Sequence, residues 1–165
     1  MSLNLVILSL VTLERLFELP LARRNTRRLL ALGAREHAPE HYPLIVALHA
    51  AWLASLWWLA PTRAVHLPWL AIFALIELGR VWVLTSLGER WTTRIIVLPQ
   101  APLVRRGPYR LTDHPNYAVV VAEILVLPLV FGLWQVALLF SLLNAAMLTV
   151  RIRAENRALG RTQPR

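Results

Sequence analysis

Residues 105–150 read RRGPYRLTDHPNYAVVVAEILVLPLVFGLWQVALLFSLLNAAMLTV. From Ala118 onward the polar, proline-bearing opening gives way to an apolar run holding one acidic residue, Glu123, and broken by FGLW around Gly132. This pattern predicts two helices joined by a tight turn. Each arm is short for a crossing, because a helix rising about 1.5 Å per residue needs about 20 apolar residues to traverse a hydrocarbon layer roughly 30 Å thick. Just upstream, Pro99, Pro102, Pro108 and Pro115 rule out a continuous helix over residues 92–116. The runs IIVLP and PLV there are too short to span and are expected to dip into the interface. Non-helical backbone is tolerated at that depth only where protein or a polar cavity satisfies its hydrogen bonds.

Working outward, residues 3–21, 42–60 and 68–87 approach spanning length, so the chain reads as an all-α integral membrane protein with about five transmembrane helices. The 57% hydrophobic content and the mean hydropathy of +0.52 agree. MSLNLVILSL lacks a basic leading region and no small-residue cleavage pattern follows it, so the first span is expected to be retained. No internal repeat or low-complexity linker divides the 165 residues. We therefore expect a single membrane domain, with three N-terminal helices over 1–91 and a cofactor-binding loop, hairpin and C-terminal helix over 92–165. No cysteine is present, which excludes disulfides and thiolate metal sites.

All 18 basic residues are arginine. Arg23, Arg24, Arg27, Arg28 and Arg35 follow the first span; Arg90, Arg94, Arg105, Arg106 and Arg110 follow the third; Arg151, Arg153, Arg157, Arg161 and Arg165 close the chain. Arg63 alone lies in a connection on the other side. By the positive-inside rule the N-terminus is outside and the C-terminus cytoplasmic. Trp57, Trp58, Trp69 and Trp134 then fall near the outer interface, where indole rings favour the boundary between hydrocarbon and water. This distribution accounts for the net charge of +9 without nucleic acid, and no recognition motif for it is present. The segment ARRNTRRLL is expected to lie along the inner interface as a basic amphipathic turn or two. Membrane lipids are the expected surroundings, and no obligate protein partner is evident.

Ionised groups at mid-membrane cost on the order of 2.5–3.5 kcal/mol each and need partners or a purpose. Glu14, Arg15 and Glu18 lie in the first span, Glu77 and Arg80 are placed to pair within the third, and Glu123 opens the fourth. Asn144 is expected to donate an interhelical hydrogen bond. His37, His41, His49 and His66 carry no motif, and no metal is expected. His114 stands apart, in a proline-rich turn at the mouth of the hairpin between Tyr109 and Tyr117. Arg151 and Glu155, four residues apart, share a helix face toward that mouth; from spacing alone they are equally an exposed ion pair or part of a site.

These residues carry a resemblance. PLVRRGPYRLTDHPNY, an apolar hairpin and then RIRAENRAL resembles the isoprenylcysteine carboxyl methyltransferase family, membrane enzymes that use S-adenosylmethionine. The family pattern runs Leu-Val, a short gap, Gly-x-Tyr, four residues, His-Pro-x-Tyr, the hairpin, and Arg followed four residues later by Glu. It covers about 60 residues of the C-terminal half. ERLFELPLARRN and WTTRIIVLP look like the bacterial branch whose members methylate alkylpyrones or alkylresorcinols. The resemblance implies cofactor contacts at Ala101, Pro102, Leu103, Val104, Tyr109, His114, Pro115, Asn116, Tyr117 and Glu155, with Arg151 the catalytic residue facing the substrate's acidic oxygen. Arg94 is a weaker correspondence. Departures are Asp113 where an Arg commonly precedes His-Pro, Asn156 in place of a second acid, and Val119 at a position often held by Gly.

The implied reaction is transfer of a methyl group from a sulfonium to an oxygen of a lipid-like acceptor: an alkylpyrone, an alkylresorcinol or a prenylcysteine-type carboxylate. In such an in-line displacement charge largely disappears, so the protein chiefly aligns donor and acceptor and excludes water. No dedicated base is evident in the sequence, which favours acceptors that ionise readily. The rival expectations are N-methylation of a phospholipid amine and a non-enzymatic helical adaptor or transporter subunit.

Overall fold

The computed structural model describes residues 2–160; Arg161 and Arg165 of the basic tail lie outside them. Five α-helices form the chain's frame: α1 (Leu3–Ala31), α2 (Tyr42–Leu59), α3 (Leu67–Leu87), α4 (Pro115–Val130) and α5 (Trp134–Ala158). The chain is an all-α membrane protein. Pro39–Leu59, Leu67–Arg90 and Trp134–Ala158 are long and apolar enough to cross a bilayer, and α4 is a shorter apolar helix. α5, with 25 residues, is the one hairpin arm that is not short. The hairpin closes at Gly132, whose φ of 67° is ordinary for glycine and strained for other residues.

α1 is kept out of the apolar class by its own charges, and packing explains how it joins the bundle. Ile7, Leu8 and Val11 enter one core with Trp52 and Leu56 of α2, Phe73 of α3, Ile124 and Leu127 of α4, and Val136 and Phe140 of α5. Meanwhile Leu10, Leu13 and Phe17 point outward, exposed. Apolar groups outside and charges inside suit a helix whose surroundings are lipid.

Those charges meet partners from other helices. Arg80 Nε donates to Glu18 Oε1 at 2.6 Å, and its Nη1 donates to Glu123 Oε1 at 2.7 Å. Arg15 Nη2 donates to Glu123 Oε2 at 2.8 Å, and Glu14 lies 3.4 Å from Arg80 Nε. The expected pairing of Glu77 with Arg80 is not formed: two acids from α1 and α4 take the guanidinium, and Glu77 Oε1 is buried without a hydrogen-bond partner. The network therefore ties α1, α3 and α4 across the bundle.

One sequence expectation is corrected at the arginine-rich end, and a short β-ribbon is added there. ARRNTRRLL does not form a separate interfacial turn; it continues α1 through Ala31. Within IIVLP, Ile95–Val97 is a strand (β2) paired antiparallel with Arg35–His37 (β1), in the register Arg35 to Val97 and His37 to Ile95. This ribbon clips the connection after α1 to the connection after α3. Asn25 of α1 reinforces it, donating through Nδ2 to the carbonyls of Gly88 and Trp91 at 3.2 and 2.8 Å.

Candidate active site

Beyond β2 the prolines keep the chain out of a helix, and the segment is held from outside. Arg106 Nε donates to the Ser86 carbonyl at 2.6 Å, and Arg90 Nη1 to the Pro102 carbonyl at 2.5 Å. Gly107, with φ of 54°, lies so close to α3 that a Cβ there would collide with Ser86 and crowd Trp82. After a short 3-10 turn at Gly107–Arg110, α4 starts at Pro115, whose fixed φ suits a first helical position.

Between this loop, β2, the start of α4 and the last turns of α5 lies a cavity of about 200 Å³. Ala101, Pro102, Leu103, Val104, Tyr109, His114, Asn116, Tyr117, Arg151 and Glu155 all line it. Of the residues the sequence singled out, Pro115 is the one not brought to the wall: it is buried in the helix start.

One hydroxyl organises the polar side. Tyr117 donates to Glu155 Oε2 at 2.5 Å and accepts from Arg151 Nε at 2.8 Å. Arg151 is further fixed by Nη2 donating to the Thr93 carbonyl at 2.7 Å. Tyr117 thereby joins Arg151 and Glu155, and Arg151 is buried. His114 stacks on Tyr117 with ring centres 5.3 Å apart, and its Nδ1 lies 3.6 Å from Glu155 Oε2. On the other side of the ring, Nε2 lies 3.2 Å from Asn156 Oδ1, which can only accept, so that nitrogen carries the hydrogen. The departure at Asn156 thus serves to hold the imidazole. Burial, aided by Glu155, pushes the Tyr109 phenol above its ordinary range and keeps it neutral. Arg94 lines the cavity but is engaged elsewhere, with Glu36 Oε1 at 2.8 Å and over the Tyr42 ring.

A second chamber of about 290 Å³ opens on the far side of the Tyr117–Arg151 pair, among α1, α2 and α5. Its lining is mostly apolar, with Leu16, Val46, Leu53, Met147 and Leu148 among its walls. Trp91, Thr92, Asn116, Tyr117 and Arg151 belong to both spaces. Sequence reading missed three participants in particular. Thr93 acts through its backbone, which no side-chain pattern reveals. Trp91 contributes an indole N–H that is buried without a partner. His49 lacks any motif around it.

Fold and site define a multi-pass membrane protein in which a polar cavity shares a wall with an apolar chamber. Residues 69–161, more than half of the chain, match the Isoprenylcysteine carboxyl methyltransferase (ICMT) family, and the chain belongs to that family of membrane methyltransferases. It is 36% identical over 167 residues to the uncharacterized protein YpbQ of Bacillus subtilis (strain 168), covering 93% of this chain and 95% of that one. It is 26% identical over 160 residues to an uncharacterized protein of Haemophilus influenzae, covering 92% and 91% of the two chains. No solved structure matches.

Proposed function

We propose that the chain is an S-adenosylmethionine-dependent O-methyltransferase whose acceptor is a long-chain, lipid-like molecule such as an alkylresorcinol, an alkylpyrone or a prenylcysteine-type carboxylate. The observation that carries this reading is the shared wall, which places Arg151 and Tyr117 between a polar cavity and an apolar chamber. The polar side suits the methyl donor. Glu155 offers a carboxylate to a cationic group, the His114–Tyr117 stack offers a flat aromatic face, and the Trp91 N–H is a donor still lacking an acceptor. When bound, that donor supplies an electrophilic methyl on a positively charged sulfur.

The chain's own residues then have two tasks. Arg151, braced by Tyr117 and the Thr93 carbonyl, keeps N–H groups to spare for an anionic oxygen on the acceptor. The chamber's apolar walls hold the tail and exclude water, so that alignment does most of the work. The proposed setting is a bacterial inner membrane with the arginine-rich end, and the cavity with it, facing the cytoplasm.

The test is incubation of purified protein with labelled S-adenosylmethionine and a lipid extract from its host, followed by mass identification of what gains a methyl group. A methylated oxygen, lost in Arg151→Ala, is the expected result. Transfer to a phospholipid amine that survives Arg151→Ala supports the rival N-methyltransferase, because an amine gains nothing from a facing arginine. No binding of the methyl donor in a calorimetric titration supports a non-enzymatic role.

A further inference from the structure

Resting on that reading, we infer that His49 is the proton acceptor of the reaction and that the acceptor is a long-chain phenol-class hydroxyl rather than a carboxylate. His49 lies on α2 and lines the apolar chamber together with Tyr117 and Arg151. Its Nδ1 lies 2.8 Å from the carbonyl oxygen of Ile45, one turn earlier. A carbonyl only accepts, so Nδ1 carries the hydrogen, and in the neutral ring the lone pair is left on Nε2. No described residue hydrogen-bonds that nitrogen.

The need for such a group follows from the chemistry of the chamber. A phenol with an ordinary pKa of about 10 is ionised in only about one molecule in a thousand at neutral pH, and an apolar setting lowers that share. Arg151 can stabilise the oxyanion but cannot take the proton, because a guanidinium stays protonated. Glu18, the carboxylate in the chamber, is paired with Arg80, and Glu155 lines the polar cavity rather than this chamber. Among the described residues lining the chamber, the charged and titratable groups around His49 are Arg15 and Glu18 from α1, Tyr42 from α2, Arg80 from α3, Tyr117 from α4 and Arg151 from α5. Arg15 and Arg151 are cations in the same chamber and oppose a lasting positive charge on the ring, so the proton is taken only as the oxyanion forms against Arg151. His49 Nε2 is the lone pair left uncommitted. In the step it serves, the hydroxyl O–H bond breaks and the proton passes to Nε2. The freed oxygen pair forms the O–CH3 bond, and the S–CH3 pair stays on sulfur as a thioether. A carboxylate acceptor has no such proton to lose, and for it the imidazole lone pair serves no purpose.

The test uses the full chain in lipid nanodiscs and compares it with His49→Asn, whose amide keeps an N–H for the Ile45 carbonyl but offers nothing at the Nε2 position. The acceptors are a long-chain alkylresorcinol and a fatty acid of matched tail. The expected result is transfer to the resorcinol by the unaltered chain, and a fall in kcat of roughly 10²- to 10⁴-fold in His49→Asn. KM and binding of the methyl donor stay near those of the parent, and the deficit shrinks toward about pH 10, where the acceptor ionises unaided. A second readout needs no turnover: the visible phenolate band of a bound long-chain nitrophenol, with methyl donor omitted, is weaker in His49→Asn. A kcat within a few-fold of the parent, a deficit independent of pH, or a nitrophenol band unchanged by the substitution overturns the role of His49. Preference of the unaltered chain for the fatty acid overturns the phenol assignment while leaving O-methylation standing. Transfer to neither acceptor overturns the assignment as well, and transfer to an amine in the host extract then identifies the fault as lying in O-methylation itself.

Discussion

Tyr117 donates to one charged side chain and accepts from another, 2.5 Å from Glu155 and 2.8 Å from Arg151. Tyr117→Phe removes both bonds while leaving the ring stacked on His114. Hydrogen bonds to charged groups contribute about 1.5–3 kcal/mol each to stability, so the melting temperature should fall, and on the proposed function the loosened Arg151 should lower methyl transfer roughly 10- to 100-fold in kcat/KM. Steady-state kinetics beside a melting curve separates the two effects. At this scale the sequence was informative wherever spacing carried the signal. The Gly-x-Tyr and His-Pro-x-Tyr elements, with Arg151 and Glu155 one helical turn apart, carried the family resemblance, and ten of the residues it implied line one cavity. It was silent where a residue acts through its backbone, as Thr93 does. It was equally silent where meaning comes from a neighbour on another helix, as with His49 in the chamber it shares with Arg151.

Among the elements, the hairpin and its turn at Gly132 were legible because long apolar runs and a glycine break are local signals. The ribbon of β1 and β2 was not, since strands of three residues show no alternation and their pairing joins Arg35 to Val97 across a whole helix pair. The loop that walls the cavity depends on close approach to α3 at Gly107. Gly107→Ala meets both an unfavourable φ and the Ser86 and Trp82 side chains. We expect a loss of about 1–3 kcal/mol in stability and weaker binding of the methyl donor, measured by unfolding in detergent and by calorimetry. Ala in place of Gly33, where no atom lies within reach of an added Cβ, meets the φ penalty without the collision and should leave that binding intact.

At the level of the whole molecule, Arg80 and Arg15 both face Glu18 and Glu123, and Arg80, which is buried, makes the shorter contacts. Arg80→Leu leaves the two acids with Arg15 alone in the interior. Removing one member of a buried ionic set costs about 3–5 kcal/mol, so the variant should lose its monodisperse elution in mild detergent or melt well below the parent. The sequence marked these charges as anomalous but paired Arg80 with Glu77, its neighbour in the chain, because helical spacing is all that a single span displays. The actual partners come from α1 and α4, which only the assembled bundle brings near.

The same arrangement bears on how the chain is made. Glu18 precedes Arg80 by 62 residues, and Glu123 follows Arg80 by 43. When α1 leaves the ribosome its own Arg15 offsets only one of the acids Glu14 and Glu18, since Arg80 has not been synthesised, and each unpaired acid resists partitioning by about 2.5–3.5 kcal/mol. α1 is therefore a poor client for the translocon on its own. Its stable seating in the bilayer awaits the emergence of α3 and α4, making the opening segment of the polypeptide among the last to settle.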